Sequence, residues 1–309
     1  MLSDNKILIT GAAGSVASPI AEYLSRDNEV WGVARFTNPA DRTRLEALGV
    51  KTFSADIAGG DLSGLPQDFT HLLHFAFARV PPGTQQFETA FRVNGEGTGF
   101  ILQHCRKARA ALVVSSAAIY SPNDDPFHAC TETDLLGRAF APWSPSSPVS
   151  KIAEEAVARF CARAFQLPTT IVRLNTVYGR AAHLPSLHIR AMQAGQNVPL
   201  PHDPNPHSPI HVDDLCAQIE ALLGSAGVPA LVTNWGGDEV VTAQQWCTAA
   251  AKMLGLEAKL VVQQVAGAPY GNVADVTRRR SITGACQVPF AEGLSRIVQA
   301  YHLPVANDT

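Results

Sequence analysis

The chain has 309 residues, 46% of them apolar and 17% charged, and 24 Lys and Arg against 27 Asp and Glu leave a net charge of -3. No basic field is present to drive binding to nucleic acid or to a membrane surface, and the charged fraction is too small for a mostly disordered chain. No apolar run reaches the roughly 20 residues of a spanning helix. The polar opening Met1 to Lys6 lacks the basic and apolar regions of a leader, and the six cysteines are scattered without a CxxC pair. That pattern is expected of reduced thiols in a cytoplasmic protein without a metal site.

In chain order, the first apolar run, Lys6 to Thr10, reads as a strand and leads through a glycine loop into a helix predicted over Val16 to Ser25. Strand patterns recur at Glu29 to Ala34, Lys51 to Ala55, His71 to Phe75, Ala111 to Ser115 and Thr169 to Leu174. Helical patterns at Asp41 to Leu48, Phe87 to Ala108 and Lys151 to Phe165 separate them. This alternation is the sequence form of βαβ units, and right-handed crossovers then give a doubly wound parallel sheet. Beyond residue 178 the pattern changes. Residues 183–208, rich in His, Pro and Asn, predict irregular segments around a pocket. A helix at Val212 to Leu223, a strand at Leu231 to Trp235, a helix at Ala243 to Leu254, a strand near Lys259 to Gln264 and a helix near Ala291 to Tyr301 follow, all assigned to a smaller lobe over the sheet.

The loop itself reads Thr10-Gly11-Ala12-Ala13-Gly14-Ser15-Val16-Ala17. Gly11 permits a tight turn, and Gly14 removes the Cβ that would hold the backbone away from a pyrophosphate at the helix N-terminus. Ala13, Ser15 and Val16 complete the cradle, and Ala17 is small enough for close packing of helix on strand. The expected fold is therefore α/β: a Rossmann-type doubly wound parallel sheet over residues 1–178 that binds a dinucleotide. A smaller C-terminal α/β lobe, residues 179–309, binds substrate, with the chain crossing between the two. The second strand ends Gly32-Val33-Ala34-Arg35-Phe36, with a guanidinium where an NAD site has a carboxylate for the ribose 2′-hydroxyl. Arg35, helped by Arg42 or Arg44, suits a 2′-phosphate, so NADP(H) is favoured over NAD(H).

Further motifs occur in order: Ala55-Asp56-Ile57, His74-Phe75-Ala76-Phe77-Ala78, Val93-Asn94-Gly95-Glu96-Gly97-Thr98, Ser115-Ser116-Ala117-Ala118-Ile119-Tyr120 and Arg173-Leu174-Asn175-Thr176-Val177-Tyr178-Gly179. Ile210-His211-Val212-Asp213-Asp214 and Trp235-Gly236-Gly237-Asp238 follow. Together they resemble the extended short-chain dehydrogenase/reductases, the NAD-dependent epimerase/dehydratase group. The resemblance implies that Asp56 and Ile57 lie against the adenine, and that Phe75, Ala76, Asn94, Ser115, Asn175 and Val177 line the rest of the dinucleotide. It places Phe77, Ala117 and Tyr178 on the substrate side, where His183 and His188 join them from the pocket-forming stretch. It also implies a Ser, Tyr, Lys catalytic set and a homodimer through the helices near 87–108 and 151–165. Ser116 fits the first role, four residues before Tyr120. Lys151, in Ser150-Lys151-Ile152-Ala153-Glu154, fits the last, its ammonium holding the nicotinamide ribose and lowering a neighbouring pKa.

The departure is in the middle. Four residues before Lys151, where the family has its tyrosine, stands Ser147. An aliphatic hydroxyl is several units too weak an acid to inherit the work of a phenol that titrates near pH 10. The shorter side chain is also expected to leave a hole, which the segment Ser121 to Pro145 reshapes or caps. Three explanations stand. Another group supplies the proton, drawn from Tyr120, Tyr178, His128, Cys130, His183, His188 and His211. Or the reaction is a non-redox lyase, isomerase or dehydratase step. Or the chain is a catalytically inactive NADP(H)-binding regulator. The first gives the working expectation, an NADP(H)-dependent oxidoreductase acting on a carbonyl or hydroxyl group of a small organic substrate. Residues 183–208 hold Arg190 as their one cation, which points to a substrate less charged than a sugar-nucleotide diphosphate. His211 is expected beside a helix cap, Asp213 and Asp214 as caps, and Arg278 to Arg280 as a surface charge run.

Overall fold

A computed structural model describes residues 2–78, 80, 87–137, 146–180, 182–264 and 268–302. Seven strands form the central sheet: β1 Lys6–Thr10, β2 Glu29–Ala34, β3 Lys51–Ser54, β4 His71–His74, β5 Ala110–Ser116, β6 Thr169–Leu174 and β7 Leu231–Trp235. Their spatial order is β3-β2-β1-β4-β5-β6-β7 and every pair is parallel. Consecutive residues of a strand face opposite sides, so the unbroken apolar run of β1 serves two cores at once. Ile7 and Ile9 pack with Ile20, Leu24, Leu215, Ile219 and Leu222 on one face. Leu8 packs with Leu72, Ile101, Leu102, Ala158 and Ile171 on the other. A sheet so covered explains why its strands read as continuous rather than alternating.

The winding direction reverses between β1 and β4. In an open parallel sheet that reversal leaves a crevice at the carboxyl ends of the two strands, where ligands bind. The glycine loop follows β1 and Phe75 follows β4, so both motifs sit at this switch point.

Two expectations for the C-terminal part need correction. Leu231–Trp235 is not part of a separate lobe but the edge strand of the central sheet, paired residue for residue with β6 from Leu231 opposite Thr170 to Trp235 opposite Leu174. The helix Val212–Gly224 covers the same sheet through Leu215, Ile219 and Leu222. Its apolar stripe, which sequence alone could not assign to a partner, matches the sheet face. Second, 183–208 is not irregular throughout: a helix spans Leu184–Gln193 and a short strand Val198–Leu200. Pro185 reads as a breaker in sequence, but in the first turn of a helix it costs no hydrogen bond. Ile189 and Met192 then fall on the buried face with Pro185. These residues join Tyr178, Trp246, Phe290, Leu294 and Val298 in a third core that does not belong to the sheet. Among the described residues no helix is long and apolar enough to cross a membrane, and the six cysteines form no disulfide.

Candidate active site

At the switch point Gly11 takes φ +66°, and a Cβ there would lie 2.8 Å from the Ala76 nitrogen. Any side chain would thus collide with the backbone leaving β4. The Gly14 amide donates to the Gly11 carbonyl at 2.8 Å, and Ser18 N–H donates to Gly14 O at 2.9 Å as the helix Ala17–Leu24 begins. Gly14 and Ser15 are exposed while Ala13 and Val16 are half-buried. A loop that lacks Cβ atoms at Gly11 and Gly14 and feeds a helix fits a pyrophosphate. At the end of β2, Arg35 is exposed; its carbonyl accepts from Ser54 Oγ at 3.3 Å, and its guanidinium has no hydrogen-bond or ion-pair partner among the described residues. The two expected helpers are engaged: Arg42 bonds Glu46 at 2.9 Å and Thr52 at 3.0 Å, and Arg44 bonds Ser18 and pairs with Asp41 at 3.5 Å. Asp56, exposed, caps the turn Ile57–Gly59 by accepting from Ala58 N–H, and Ile57 is buried beneath it.

A buried polar chain links Thr10, His74, Thr98 and Asn94; of these, sequence reading assigned only Asn94 to the site. Thr98 Oγ1 donates to Asn94 O at 2.6 Å, so at 2.8 Å it accepts from His74 Nε2. His74 Nδ1 therefore accepts from Thr10 Oγ1 at 2.7 Å, and Thr10 Oγ1 accepts from Ala76 N–H at 3.2 Å. Each hydroxyl proton is used once, which assigns His74 as the neutral Nε2–H form. Burial agrees, since it pushes the His74 pKa down to about 3, with Lys151 adding to the fall. Asn94 lies in a π-helical turn, Phe91–Glu96, that leads into the helix Gly97–His104. Its side chain accepts from Ala78 N–H at 2.7 Å and donates to Ser150 Oγ at 2.9 Å, tying the end of β4 to the helix Ser147–Phe165.

Lys151 sits one turn into that helix and is 5% exposed. Its ammonium donates to Val114 O on β5 at 2.7 Å, lies 2.6 Å from Glu154 Oε2, and stands 5.1 Å from the centre of the Phe77 ring. Glu154 is fully buried, and desolvation pushes its pKa up to about 7 against the opposing pull of Lys151. His74 Nε2 is 3.9 Å from Glu154 Oε1, but a neutral imidazole makes no ion pair there. Lys151, expected to hold the nicotinamide ribose and lower a neighbouring pKa, thus has its charge beside a carboxyl one turn on, whose pKa it pulls down against burial. Ser116 is half-buried, its Oγ accepting from Ala118 N–H at 3.1 Å. Ser147 opens the helix and is 8% exposed, and its carbonyl accepts from Ser150 Oγ. Residues 138–145 of the expected capping segment lie outside the described residues. Ser115 Oγ, buried on β5, has no hydrogen-bond partner among the described residues.

The other proton-donor candidates are placed elsewhere. Tyr120 donates to Asn234 Oδ1 at 2.6 Å and accepts from Arg173 at 3.1 Å, and burial pushes its pKa up to about 12. The Arg173 guanidinium also grips Glu155 through two 2.9 Å bonds and donates to Glu132 O, so Tyr120 belongs to a bracket holding β5, β6 and β7 together. Tyr178 is 1% exposed and packs edge-on against His211 and tilted against Phe290, with burial raising its pKa. His183, 5% exposed, accepts from Arg180 N–H at the start of the helix Leu184–Gln193, and burial lowers its pKa to about 4. His188 faces Trp246 and Cys247 within the third core, its pKa likewise lowered to about 4. His211, rather than Asp213 or Asp214, caps the helix Val212–Gly224 by accepting from Asp213 N–H. Asp214 instead accepts from the backbone of Gln287 and Val288. Nor is Arg279 part of a surface run: it is fully buried, bonding Asp238 and Gly284 O.

His128, Cys130 and Asp134 bring one potential metal-ligand atom each within 4.8 Å of one another, although His128 already meets Asp134 at 2.5 Å. The spacing H-x-C-x3-D gave no such signal. The short strand pair of Ala129–Cys130 with Val273–Ala274 shapes that segment. Asn175 Nδ2 donates to the Asn272 carbonyl at 3.0 Å, and Thr176 Oγ1 meets His207 Nδ1 at 2.7 Å. Burial holds His207 at a pKa of about 3. Asn272 and His207 carry no chemistry legible from sequence; only folding sets them beside the Asn175 motif. Asn175 N–H donates to Trp235 O, and Val177 pairs with Ile210. Ala117 is buried in the turn Ala117–Ile119. Two clefts, one lined by Arg180, His211 and Arg296 and one by Tyr178, Asp238 and Phe290, include none of Ser116, Ser147 or Lys151.

Comparison with known proteins shows the family and the fold. The family model described as "NAD dependent epimerase/dehydratase family" matches residues 7–232. An uncharacterized UDP-glucose epimerase of Bacillus subtilis is 24% identical over 299 residues, covering 90% of this chain and 91% of that protein. A trifunctional UDP-glucose 4,6-dehydratase, epimerase and reductase of Arabidopsis thaliana is 23% identical over 319 residues, 96% of this chain but 47% of its own length. Among solved structures, UDP-glucuronic acid 4-epimerase from Bacillus cereus, in complex with UDP-glucuronic acid and NAD, superposes with a TM-score of 0.81 at 23% identity. That match covers 95% of this chain and 98% of the other. At that identity the likeness shows the fold.

Proposed function

From membership of the NAD-dependent epimerase/dehydratase family, to which this chain belongs, we propose an NADP(H)-dependent oxidoreductase acting on a carbonyl or hydroxyl group of a small organic substrate. Gly11, Gly14 and Ser15 would hold the pyrophosphate, Asp56 and Ile57 the adenosine end, and the segment around Phe75, Ala76 and Ser115 the remainder. When bound, the nicotinamide supplies a two-electron acceptor or donor. The observation carrying the preference for NADP(H) is Arg35, exposed at the end of β2 with both neighbouring arginines already engaged.

Ser116 donates a hydrogen bond to the substrate oxygen. Ser147 relays a proton between that oxygen and the Lys151 ammonium: a hydroxyl that gives one proton as it takes another needs no low pKa of its own. The two residues are four apart on one helix, and such positions share a face. The polar groups collected near Asn175, among them Asn205, His207 and Asn272, are neutral, which supports an uncharged substrate. Relatives that act on UDP-sugars keep a sugar nucleotide as the competing substrate class. The working division is residues 1–178 for the dinucleotide and 179–309 for the substrate, with β7 and the helix Val212–Gly224 returned to the sheet. A cytoplasmic homodimer through the helices Gly97–His104 and Ser147–Phe165 completes the reading, supported by Phe100 and Phe160, which are 38% and 67% exposed on them.

Fluorescence titration with NADPH and NADH, followed by assay against a panel of ketones, aldehydes and UDP-sugars, tests this reading. Tighter NADPH binding that Arg35→Glu removes is the expected result; a preference for NADH in the unaltered protein contradicts it. The inward pairing of Lys151 favours one second reading, a dinucleotide-binding regulator, which the same assay separates as binding without turnover.

A further inference from the structure

Glu154 has no role in the mechanism above, yet it is fully buried beside the one charged residue of the reacting set. An ammonium has three N–H donors. Lys151 directs one to Val114 O and one face to Glu154 Oε2, which leaves its remaining side under the Phe77 ring at the lip of the crevice. The carboxylate is less well served: neither oxygen has a well-formed hydrogen bond among the described residues, and the Lys151 charge near Oε2 is its one cationic partner there. We propose that Glu154 is a positioning residue for Lys151: as a carboxylate it draws the ammonium inward on to β5, and when it takes up a proton from solvent it releases the ammonium toward the dinucleotide. The inference rests on the dinucleotide-binding reading of this site.

The groups facing Glu154 are few. On its own helix these are Lys151 and Glu155; from β4 comes His74, neutral and committed to Thr98; from β5 comes only the Val114 carbonyl that shares the ammonium. None of them supplies Oε1 with a proton. Burial has already brought the acid form within reach near neutral pH, since the Glu154 pKa is pushed up to about 7. The exchange moves one proton and no electrons, and Lys151 keeps its charge throughout.

The test is the dissociation constant for NADPH, read by fluorescence from about pH 5.5 to about pH 9, for the unaltered protein, Glu154→Gln, Lys151→Met and the double variant. The unaltered protein should bind about tenfold more weakly as the pH rises through neutrality. Glu154→Gln should bind tightly with no such slope, Lys151→Met weakly with none, and the double variant like Lys151→Met. A slope retained in Glu154→Gln, or an equal loss at every pH as a packing role would give, overturns the proposal. Should NADPH fail to bind at any pH, the dinucleotide reading falls, and the ion pair is decided by 13C NMR of the Glu154 carboxyl carbon. That signal should titrate near neutrality and move upward in Lys151→Met; a midpoint in the ordinary carboxylate range overturns the proposal by itself.

Discussion

Glu154 and Glu155 are neighbours on one helix, both buried, and they lie in opposite electrostatic situations. Glu155 points to β6 and receives two 2.9 Å bonds from Arg173, whose remaining nitrogen, Nη1, reaches Tyr120 Oη and the Glu132 carbonyl. Glu154 is paired with a single ammonium, 2.6 Å from Oε2, and neither of its oxygens has a well-formed hydrogen bond among the described residues. A guanidinium matches a carboxylate with a fork of fixed geometry, whereas an ammonium is a point charge on a flexible stem. The first arrangement fixes three strands together. The second can change state, and it lies beside Lys151, one of the proposed reacting groups.

The largest expected effect breaks the fixed pair. Arg173→Met leaves Glu155 buried without a partner and should lower stability by about 3–5 kcal/mol in urea denaturation. The double change Lys151→Met, Glu154→Gln removes a buried charge on each side and should cost well under half of that. Equal losses would erase the distinction between the two carboxylates.

Acidity sharpens the same contrast. The folded-state pKa of Glu154 is raised from 4.5 to about 7, so between those values the folded protein holds a proton that the unfolded chain has released. Stability from this group is therefore full below pH 4.5 and declines as the pH rises toward 7, by on the order of 3 kcal/mol at most. Denaturation midpoints of the Glu154→Gln variant should lack that decline.

Gly11→Ala comes next. It places a Cβ 2.8 Å from backbone at φ +66°, so it should cost about 1–3 kcal/mol in stability and remove dinucleotide binding. Arg35→Glu should then lower NADPH affinity by about 10- to 100-fold, with little change for NADH, in the fluorescence titration. The smallest expected effect is on Ser147→Tyr. A phenol introduced there gains little while Glu154 holds the lysine charge, so turnover of a ketone substrate should change only about two- to threefold. The pair Ser147→Tyr, Glu154→Gln should gain more than either change alone; no difference between them would disconnect Glu154 from the reacting groups.

The strands, the glycine loop and the family motifs were legible because each is local: a periodicity, a turn that only glycine fits, a fixed spacing. What was not legible is contact. Residues Glu154 and Glu155 stand side by side as two acids of an amphipathic helix, and nothing local separates their partners. Arg279, within Arg278-Arg279-Arg280, reads as surface charge until Asp238 arrives from 41 residues away. The helix Leu184–Gln193 was hidden because proline reads as a breaker unless its position in the turn is known. Tyr120 looks like a spare acid by its motif, and its engagement with Asn234 depends on a strand that joins the sheet 114 residues later.

The central claim is that the crevice between β1 and β4 binds a 2′-phosphorylated dinucleotide, and one titration decides it. NADPH added to the unaltered protein should give saturable fluorescence enhancement at lower concentration than NADH, and Gly11→Ala should abolish both signals. Tighter binding of NADH, or no saturable signal with either dinucleotide, would contradict the account.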